Sequence, residues 1–356
     1  MMAIYLLLKL FQVQITNLKK STQELWAAHI FLRFSHCLNL AFVIIYSYYN
    51  ILESLHHREG HMVIQDRTKG IILVLTAALF WGISGTVSQY LFQGLHISTE
   101  WLTTVRLLSA GLLLLIIAYK KEGKRIFDIW TTKADIVGIV IFGVVGMIGV
   151  QYTYLAAITH GNAATATVLQ YLGPALVTGY YVLKAKRLPN KKEVFAIILA
   201  LVGTFLLVTH GNIQTLSISK AAFIWGIISA FGLAFYTIQP IPLLRRWGAL
   251  IVVGWGMVIG GFVFSFVHAP WQFEGEWYWT TNFAFLFVVL CGTVLSFYSY
   301  LESLKYLTAS ETSLLACAEP LSAAITAVIF LGVAFSWIDW IGTLFILGTI
   351  LILSRK

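Results

Sequence analysis

Glu319 is the residue whose type and position most directly suggest chemistry, because it lies near the middle of a long apolar stretch. An ionised carboxylate at such a place costs at least about 2.5 kcal/mol without a partner. That cost favours either a protonated acid or one that faces water, so proton coupling and binding of a solute amine are the functions it could serve. The structural alternative is a neutral acid that donates to a backbone carbonyl, for instance one freed by Pro320.

Two prolines, Pro174 and Pro320, interrupt apolar stretches at matching places. The pattern Tyr-x-Tyr-Leu occurs at 152–155 and at 298–301, and a proline follows each copy at the same distance. A proline inside a helix leaves the carbonyl four residues earlier without its helical donor. In hydrocarbon such a break persists where it faces a cavity or a neighbouring helix. We predict that both broken helices line a solute path and flex there, with a packing kink as the simpler alternative.

Three more charged residues lie in or beside apolar stretches, and each has a structural explanation. Glu302 is within a turn of Lys305, so an ion pair would account for it. Glu311 ends the run Thr308-Ala-Ser-Glu, which is a capping box at a helix start. Arg106 lies about a third of the way into its stretch and needs a partner or water. For Arg106 a structural role is favoured over contact with a solute.

A set of aromatic and polar residues at helical spacing forms the candidate solute-binding site. Aromatic walls with a few amides suit a small amphipathic solute, such as an amino acid with an apolar side chain. Ordinary helix packing is the competing interpretation for any one member. The set comprises Trp81, Ser88, Gln151, Tyr154, Thr167, Gln170, Phe235, Gln239, Tyr298, Glu302 and Glu319.

Motifs of known enzyme classes are absent from the sequence. It has no HExxH, no Gly-x-Ser-x-Gly and no phosphate-binding GxxxxGK[ST] pattern. The three cysteines, Cys37, Cys291 and Cys317, lack metal-ligand spacing. We therefore predict that the protein is not an enzyme and has no catalytic residue, no metal site and no cofactor. An ATP-driven pump is excluded for this chain alone.

The composition places the chain in a lipid bilayer. Of its 356 residues 59% are hydrophobic and 11% are charged, whereas soluble domains carry roughly 25% charged residues. A helix of about 20 apolar residues crosses the hydrocarbon core. The predicted fold class is an all-α polytopic membrane protein with ten transmembrane helices, at 70–91, 99–119, 135–157, 163–183, 191–209, 220–240, 249–268, 282–304, 309–331 and 336–354.

The basic residues predict the orientation of these helices. If residue 62 begins in the cytoplasm, seventeen Lys and Arg lie in inner loops and only Lys220 lies outside. The net charge of +9 therefore sets topology and does not indicate nucleic acid. We predict a multi-pass protein of the plasma membrane (the inner membrane of a bacterium), with the C-terminus in the cytoplasm.

Five helices per half is an odd number, so the two halves must cross the membrane in opposite senses. We predict one five-helix repeat at 62–212 and an inverted second one at 213–356. Such inverted repeats are typical of secondary transporters. Residues 1–61 differ in pattern from the apolar spans that follow. They indicate either an N-terminal extension with a possible interfacial helix, or a mis-called start before a native Met62.

The order and spacing of several residues resemble the drug/metabolite transporter superfamily, in particular its EamA-type exporters. The likeness covers about residues 69–354, and the matching residues are Leu79-Phe-Trp-Gly82, Arg106, Gly203, Gly348 and Ala318-Glu-Pro320. The resemblance implies export of small metabolites, with amino acids or related compounds as the expected class.

These observations together predict a secondary active transporter that exports small metabolites by alternating access, with protons as a hypothetical coupling ion. Its partners are then a small-molecule substrate and the lipid bilayer. Two alternatives stay open. One is an uncoupled facilitative carrier or channel of the same fold, and the other is a membrane-embedded enzyme or sensor.

Overall fold

The computed structural model describes residues 62–186, 188–212, 214, 219–322 and 336–354. Within these ranges the regular elements are helices, and no strand occurs among them. The described residues from Asp66 onward belong to one compact unit. The predicted extension at 1–61 and the end of the predicted helix at 309–331 lie outside the described residues.

The described residues 62–212 form seven α-helices. A 3₁₀-helix, Gly123–Trp130, follows the second, and a π-helical turn, Phe142–Met147, joins the third to the fourth. The helices are α1 Met62–Gln93, α2 Thr99–Glu122, α3 Lys133–Ile141, α4 Ile148–His160, α5 Ala163–Gln170, α6 Gly173–Lys184 and α7 Lys191–Thr209.

The described residues of the second part have a similar order of helices. A π-helical turn, Leu290–Leu295, joins its third helix to its fourth, and a 3₁₀ turn, Ala316–Ala318, precedes helical residues 319–322. The helices are α8 Lys220–Ile238, α9 Ile241–Phe264, α10 Trp279–Val289, α11 Ser296–Ser303, α12 Ala309–Leu315 and α13 Trp337–Ser354. Gly248 has a φ of 77°, which is non-helical, so α9 contains a kink seven residues after its start.

Capping side chains define several helix starts. Ser98 and Ser219 each accept a hydrogen bond from the backbone N–H three residues later. Asn190 with Glu193 forms a complete capping box at α7. Thr308 with Glu311 forms another at α12, as the sequence predicts. These bonds satisfy backbone donors that have no partner within the helix.

Among the described residues, six helical runs are long and apolar enough to cross a membrane. They correspond to six of the ten predicted spans and are Asp66–Gln93, Thr99–Trp130, Lys133–His160, Lys220–Ile238, Ile241–Phe264 and Thr281–Ser303. The protein is therefore an all-helical, multi-pass membrane protein over its described residues. Of the other predicted spans, 163–183 is the broken pair α5 and α6, 191–209 is α7, 336–354 is α13, and 309–331 is described only to residue 322.

Glycines bring α2 and α9 into close, antiparallel contact. A Cβ atom added at Gly111 would lie 2.7 Å from the backbone nitrogen of Val258. On either side of this contact, Leu108 lies against Gly261 and Leu115 lies against Gly254. Residue numbers rise along α2 as they fall along α9, so the two helices run in opposite directions. Small residues at such crossings allow the close packing that holds membrane helices together.

Helices α7 and α13 form a second antiparallel pair. Leu199 contacts Gly348, and Gly203 lies against the carbonyl of Gly342. At the far end the Nδ1 atom of His210 lies 2.7 Å from a carboxylate oxygen of Asp339. The last helix of the chain's first part is thus paired with the last helix of its second part.

Candidate functional site

A small cavity lies between α1, α2, α4 and α8, next to the broken helices. Its volume is about 40 Å³, which is room for about three water molecules. Six of the residues that the sequence proposes line it: Trp81, Ser88, Gln151, Tyr154, Gln170 and Glu319. The cavity therefore brings together side chains that are far apart in the sequence.

Glu319 is buried, with 5% of its surface exposed. Its carboxyl group accepts a hydrogen bond from the hydroxyl of Tyr171 at 2.9 Å, and the hydroxyl of Tyr154 lies 3.5 Å from its other oxygen. Tyr154 in turn shares a 3.0 Å hydrogen bond with the hydroxyl of Thr167. Thr167, another predicted site residue, thereby belongs to the network behind the cavity wall.

The two predicted helix breaks are both present, and each proline lies just after one of them. The chain turns at 171–172 between α5 and α6, and Pro174 stands in the first turn of α6. Pro320 stands likewise at the start of helical residues 319–322, after the 3₁₀ turn. Proline is tolerated in a first turn because its missing N–H would have no helical partner there.

Tyr171 connects the two breaks. Its hydroxyl is 2.6 Å from the carbonyl oxygen of Ala316, which is the carbonyl four residues before Pro320. The backbone N–H of Glu319 also donates to this carbonyl. Tyr171 is not among the residues predicted from the sequence, although its position at the break next to Gln170 was a signal that could have identified it.

Arg106 lines the cavity as well, with 6% of its surface exposed. Its Nε donates to the side-chain amide oxygen (Oε1) of Gln151 at 3.0 Å. Gln170 makes a different bond, from its amide nitrogen to the hydroxyl of Ser229 at 2.6 Å. The amides at the cavity wall thus contact α2 on one side and α8 on the other.

The remaining predicted site residues do not line the cavity. Gln239 donates to the carbonyl of Gly138 at 3.0 Å, and Glu302 pairs with Lys305 at 2.7 Å. Phe235 and Tyr298 are half-buried and lie away from the cavity wall.

A family model for the EamA-like transporter family matches the chain twice, at residues 68–209 and 220–355. The two matches cover most of the sequence. The chain belongs to the EamA-like transporter family. The resemblance inferred from the sequence is confirmed.

Several relatives of this EamA-like transporter have transporter names. A protein of Salmonella typhimurium named "Uncharacterized inner membrane transporter YicL" is 42% identical over 289 residues, covering 80% of this chain and 95% of that protein. The "Uncharacterized transporter YwfM" of Bacillus subtilis is 23% identical over 293 residues, covering 80% and 93%. A solved crystal structure covers 80% of this chain and 96% of its own, with a TM-score of 0.65 and 16% identity. The structure shows the fold alone, and the family and the names establish a membrane transporter.

Aromatic rings fill one side of the cavity in this EamA-like transporter. The ring of Trp81 lies 5.1 Å from the rings of both Phe297 and Tyr300. Tyr236 stacks between Tyr300, at 5.6 Å, and Phe142, at 5.9 Å. The rings extend from Trp81 and Phe297 on the cavity wall to Tyr236 near the end of α8 and Phe142 just after α3.

The described residues contain no group of three or more His, Cys, Asp or Glu side chains that could hold a metal ion. The carboxyl of the cavity instead faces hydroxyl groups and aromatic rings. The chemistry that the site offers is hydrogen bonding, ion pairing and proton exchange.

Proposed function

We propose that this EamA-like transporter is a secondary active transporter that exports small metabolites such as amino acids by alternating access, coupled to protons through Glu319. The observation that carries the proposal is a buried carboxyl in a cavity bordered by two broken helices. A carboxyl that exchanges protons next to flexible helix breaks can link protonation to a change of shape.

The proposed architecture is ten transmembrane helices in two inverted five-helix halves, 62–212 and 213–356. The antiparallel pairing of α2 with α9 and of α7 with α13 supports it, because equivalent helices of inverted halves must run in opposite directions. The two consecutive family-model matches support it as well. On this proposal both residue 62 and the C-terminus lie in the cytoplasm, and the protein resides in the plasma membrane.

Alternating access accounts for the small size of the cavity. A volume of about 40 Å³ is too small for an amino acid, so a bound solute requires the walls to separate. The breaks that precede Pro174 and Pro320 are the places where the backbone can bend with the least loss of helical hydrogen bonds. The aromatic cluster of Trp81, Tyr236 and Tyr300 would then form the closed side toward the cytoplasm.

The hydroxyl of Tyr171 provides a physical basis for coupling. It has one proton but two acceptors, the Ala316 carbonyl at 2.6 Å and the Glu319 carboxyl at 2.9 Å. A protonated Glu319 can donate to the oxygen of Tyr171, while the Tyr171 hydroxyl donates to the carbonyl of Ala316. An ionised Glu319 competes for that same proton. Protonation of Glu319 thereby changes the hydrogen bonding of the Ala316 carbonyl at the helix break. The other titratable groups near Glu319 are Tyr154 and Cys317, and the charged group on the cavity wall is Arg106.

Glu319→Gln tests the coupling. We expect purified wild-type protein in acid-loaded vesicles to accumulate a solute from an amino-acid panel, since protons that leave drive the solute in. The glutamine variant should lose this gradient-driven uptake yet keep solute-for-solute exchange, because an amide cannot release a proton. Glu122→Gln, which alters a surface ion pair with Arg125, is the matched control and should behave as wild type.

Two results would contradict the proposal. Unchanged pH dependence in the Glu319 variant would exclude this residue as the coupling group. Downhill flux of the wild-type protein with no response to a proton gradient would favour the uncoupled carrier.

A further inference from the structure

The cavity wall contains polar atoms without a hydrogen-bond partner among the described residues. They are Nε1 of Trp81, Oγ of Ser88 and Nε2 of Gln151, and the serine and glutamine are 0% and 1% exposed. The two nitrogens can only donate, and the hydroxyl can donate too. Buried polar atoms in proteins are nearly always paired. Three such donors on one small cavity indicate a ligand that supplies acceptors.

Arg106 adds a positive charge to the same wall. Within the described part of the chain it forms no ion pair. Its Nε donates to the side-chain amide oxygen of Gln151, which fixes the orientation of that amide. The Nε2 group of Gln151 must therefore present its hydrogens elsewhere. A buried guanidinium with neighbouring N–H and O–H donors matches the geometry and charge of a carboxylate.

Glu319 gives the cavity a carboxyl group of its own. A ligand that brought only negative charge would face this carboxyl, and a simple amine would leave Arg106 without a counter-charge. A zwitterion satisfies both groups once the walls have separated to admit it. The apolar remainder of the lining includes Leu233 and Phe297, which suit an apolar side chain.

We propose that Arg106 and Gln151 bind the carboxylate of an amino acid with an apolar side chain, while its ammonium group faces Glu319. This inference rests on the proposed transport function and assigns the residues that bind the charged groups of its substrate. Ser88 and Trp81 supply further donors to the carboxylate. Arg106 is then a binding residue, in contrast to the structural role that the sequence favoured.

Three matched probes test the carboxylate site: L-phenylalanine, 2-phenylethylamine, which lacks the carboxylate, and 3-phenylpropionate, which lacks the amine. Their binding to the purified full-length protein is measured by calorimetry. We expect phenylalanine to bind about tenfold more tightly than either analogue, as loss of a charge-assisted hydrogen bond implies. Arg106→Gln should remove the preference for phenylalanine over 2-phenylethylamine, whereas the matched surface variant Arg125→Gln should retain it.

Ser88→Ala keeps the test decisive if loss of Arg106 prevents folding. Removal of one hydrogen bond to the carboxylate should weaken phenylalanine binding about tenfold and leave 2-phenylethylamine unaffected. The proposal is overturned if 2-phenylethylamine binds as tightly as phenylalanine, if none of the probes binds, or if Ser88→Ala affects the three probes equally. Flux in vesicles separates the two proposals. Binding without flux would overturn transport alone, and gradient-driven flux of other solutes without carboxylate preference would overturn the carboxylate site alone.

Discussion

At the level of single residues, the hydroxyl of Tyr171 is the group that links the two broken helices. It joins the break before α6 to the 3₁₀ turn before Pro320, through the Ala316 carbonyl and the Glu319 carboxyl. In hydrocarbon, backbone carbonyls without partners are costly. A residue from one broken helix thus supports the break in the other.

Replacement of Tyr171 by Phe should measure the value of this hydroxyl. The ring remains and only the hydroxyl is lost, so we expect a loss of about 1–3 kcal/mol in the free energy of unfolding in detergent. Tyr180→Phe, on the exposed side of the following helix α6, is the control and should change stability little. Equal effects of the two variants would show that the Tyr171 hydroxyl has no special structural role.

At the level of elements, the two π-helical turns stand at almost matching positions. Phe142–Met147 and Leu290–Leu295 each come a few residues before a Tyr-x-Tyr-Leu motif. In the second, the hydroxyls of Thr293 and Ser296 donate to carbonyls five residues earlier. The wider turn leaves such carbonyls accessible to side chains, and π-helical turns are frequent at functional sites.

Close packing of α2 against α9 predicts a sharp difference between two helix glycines. Gly111→Ala would place a methyl group 2.7 Å from the backbone of Val258, so we expect a loss of about 1–3 kcal/mol from overpacking. Gly179→Ala, in α6, meets nothing within 4 Å and should leave stability unchanged or slightly raised. Unfolding of both variants in the same detergent gives the comparison. Similar stability of the two would mean that the helices can separate at this crossing at no cost.

At the level of the whole molecule, the inverted arrangement makes a prediction about sidedness. Single cysteines are placed at Lys191, Arg245 and Lys220, which are all exposed, in a protein with Cys37 replaced by Ser. A membrane-impermeant thiol reagent applied to intact cells should label only the cysteine at Lys220. The other two positions should react after the cells are opened.

Cys291 and Cys317 can remain in this experiment because both are buried. Labelling of Lys191 and Arg245 positions on opposite faces of the membrane would be incompatible with two inverted five-helix halves. The alternating-access proposal would then lose its structural basis.

The sequence by itself determined the class of protein, because apolar length and the rarity of charge follow directly from the bilayer. It also determined the places of the helix breaks, since proline acts on its own backbone, and the capping box at Thr308, since that motif is local. Glu319 could also be identified from the sequence, because a carboxyl group within an apolar stretch is costly however the helices pack.

Only the tertiary structure decided which side chains share the cavity. Helical spacing gives the face of a helix but not its neighbour, so Gln239 and Glu302 were proposed for the site although they contact Gly138 and Lys305. The same limit hid the partnership of Tyr171 with Glu319, which are 148 residues apart. Contacts between helices depend on how the whole bundle packs, and no local pattern in the sequence encodes them.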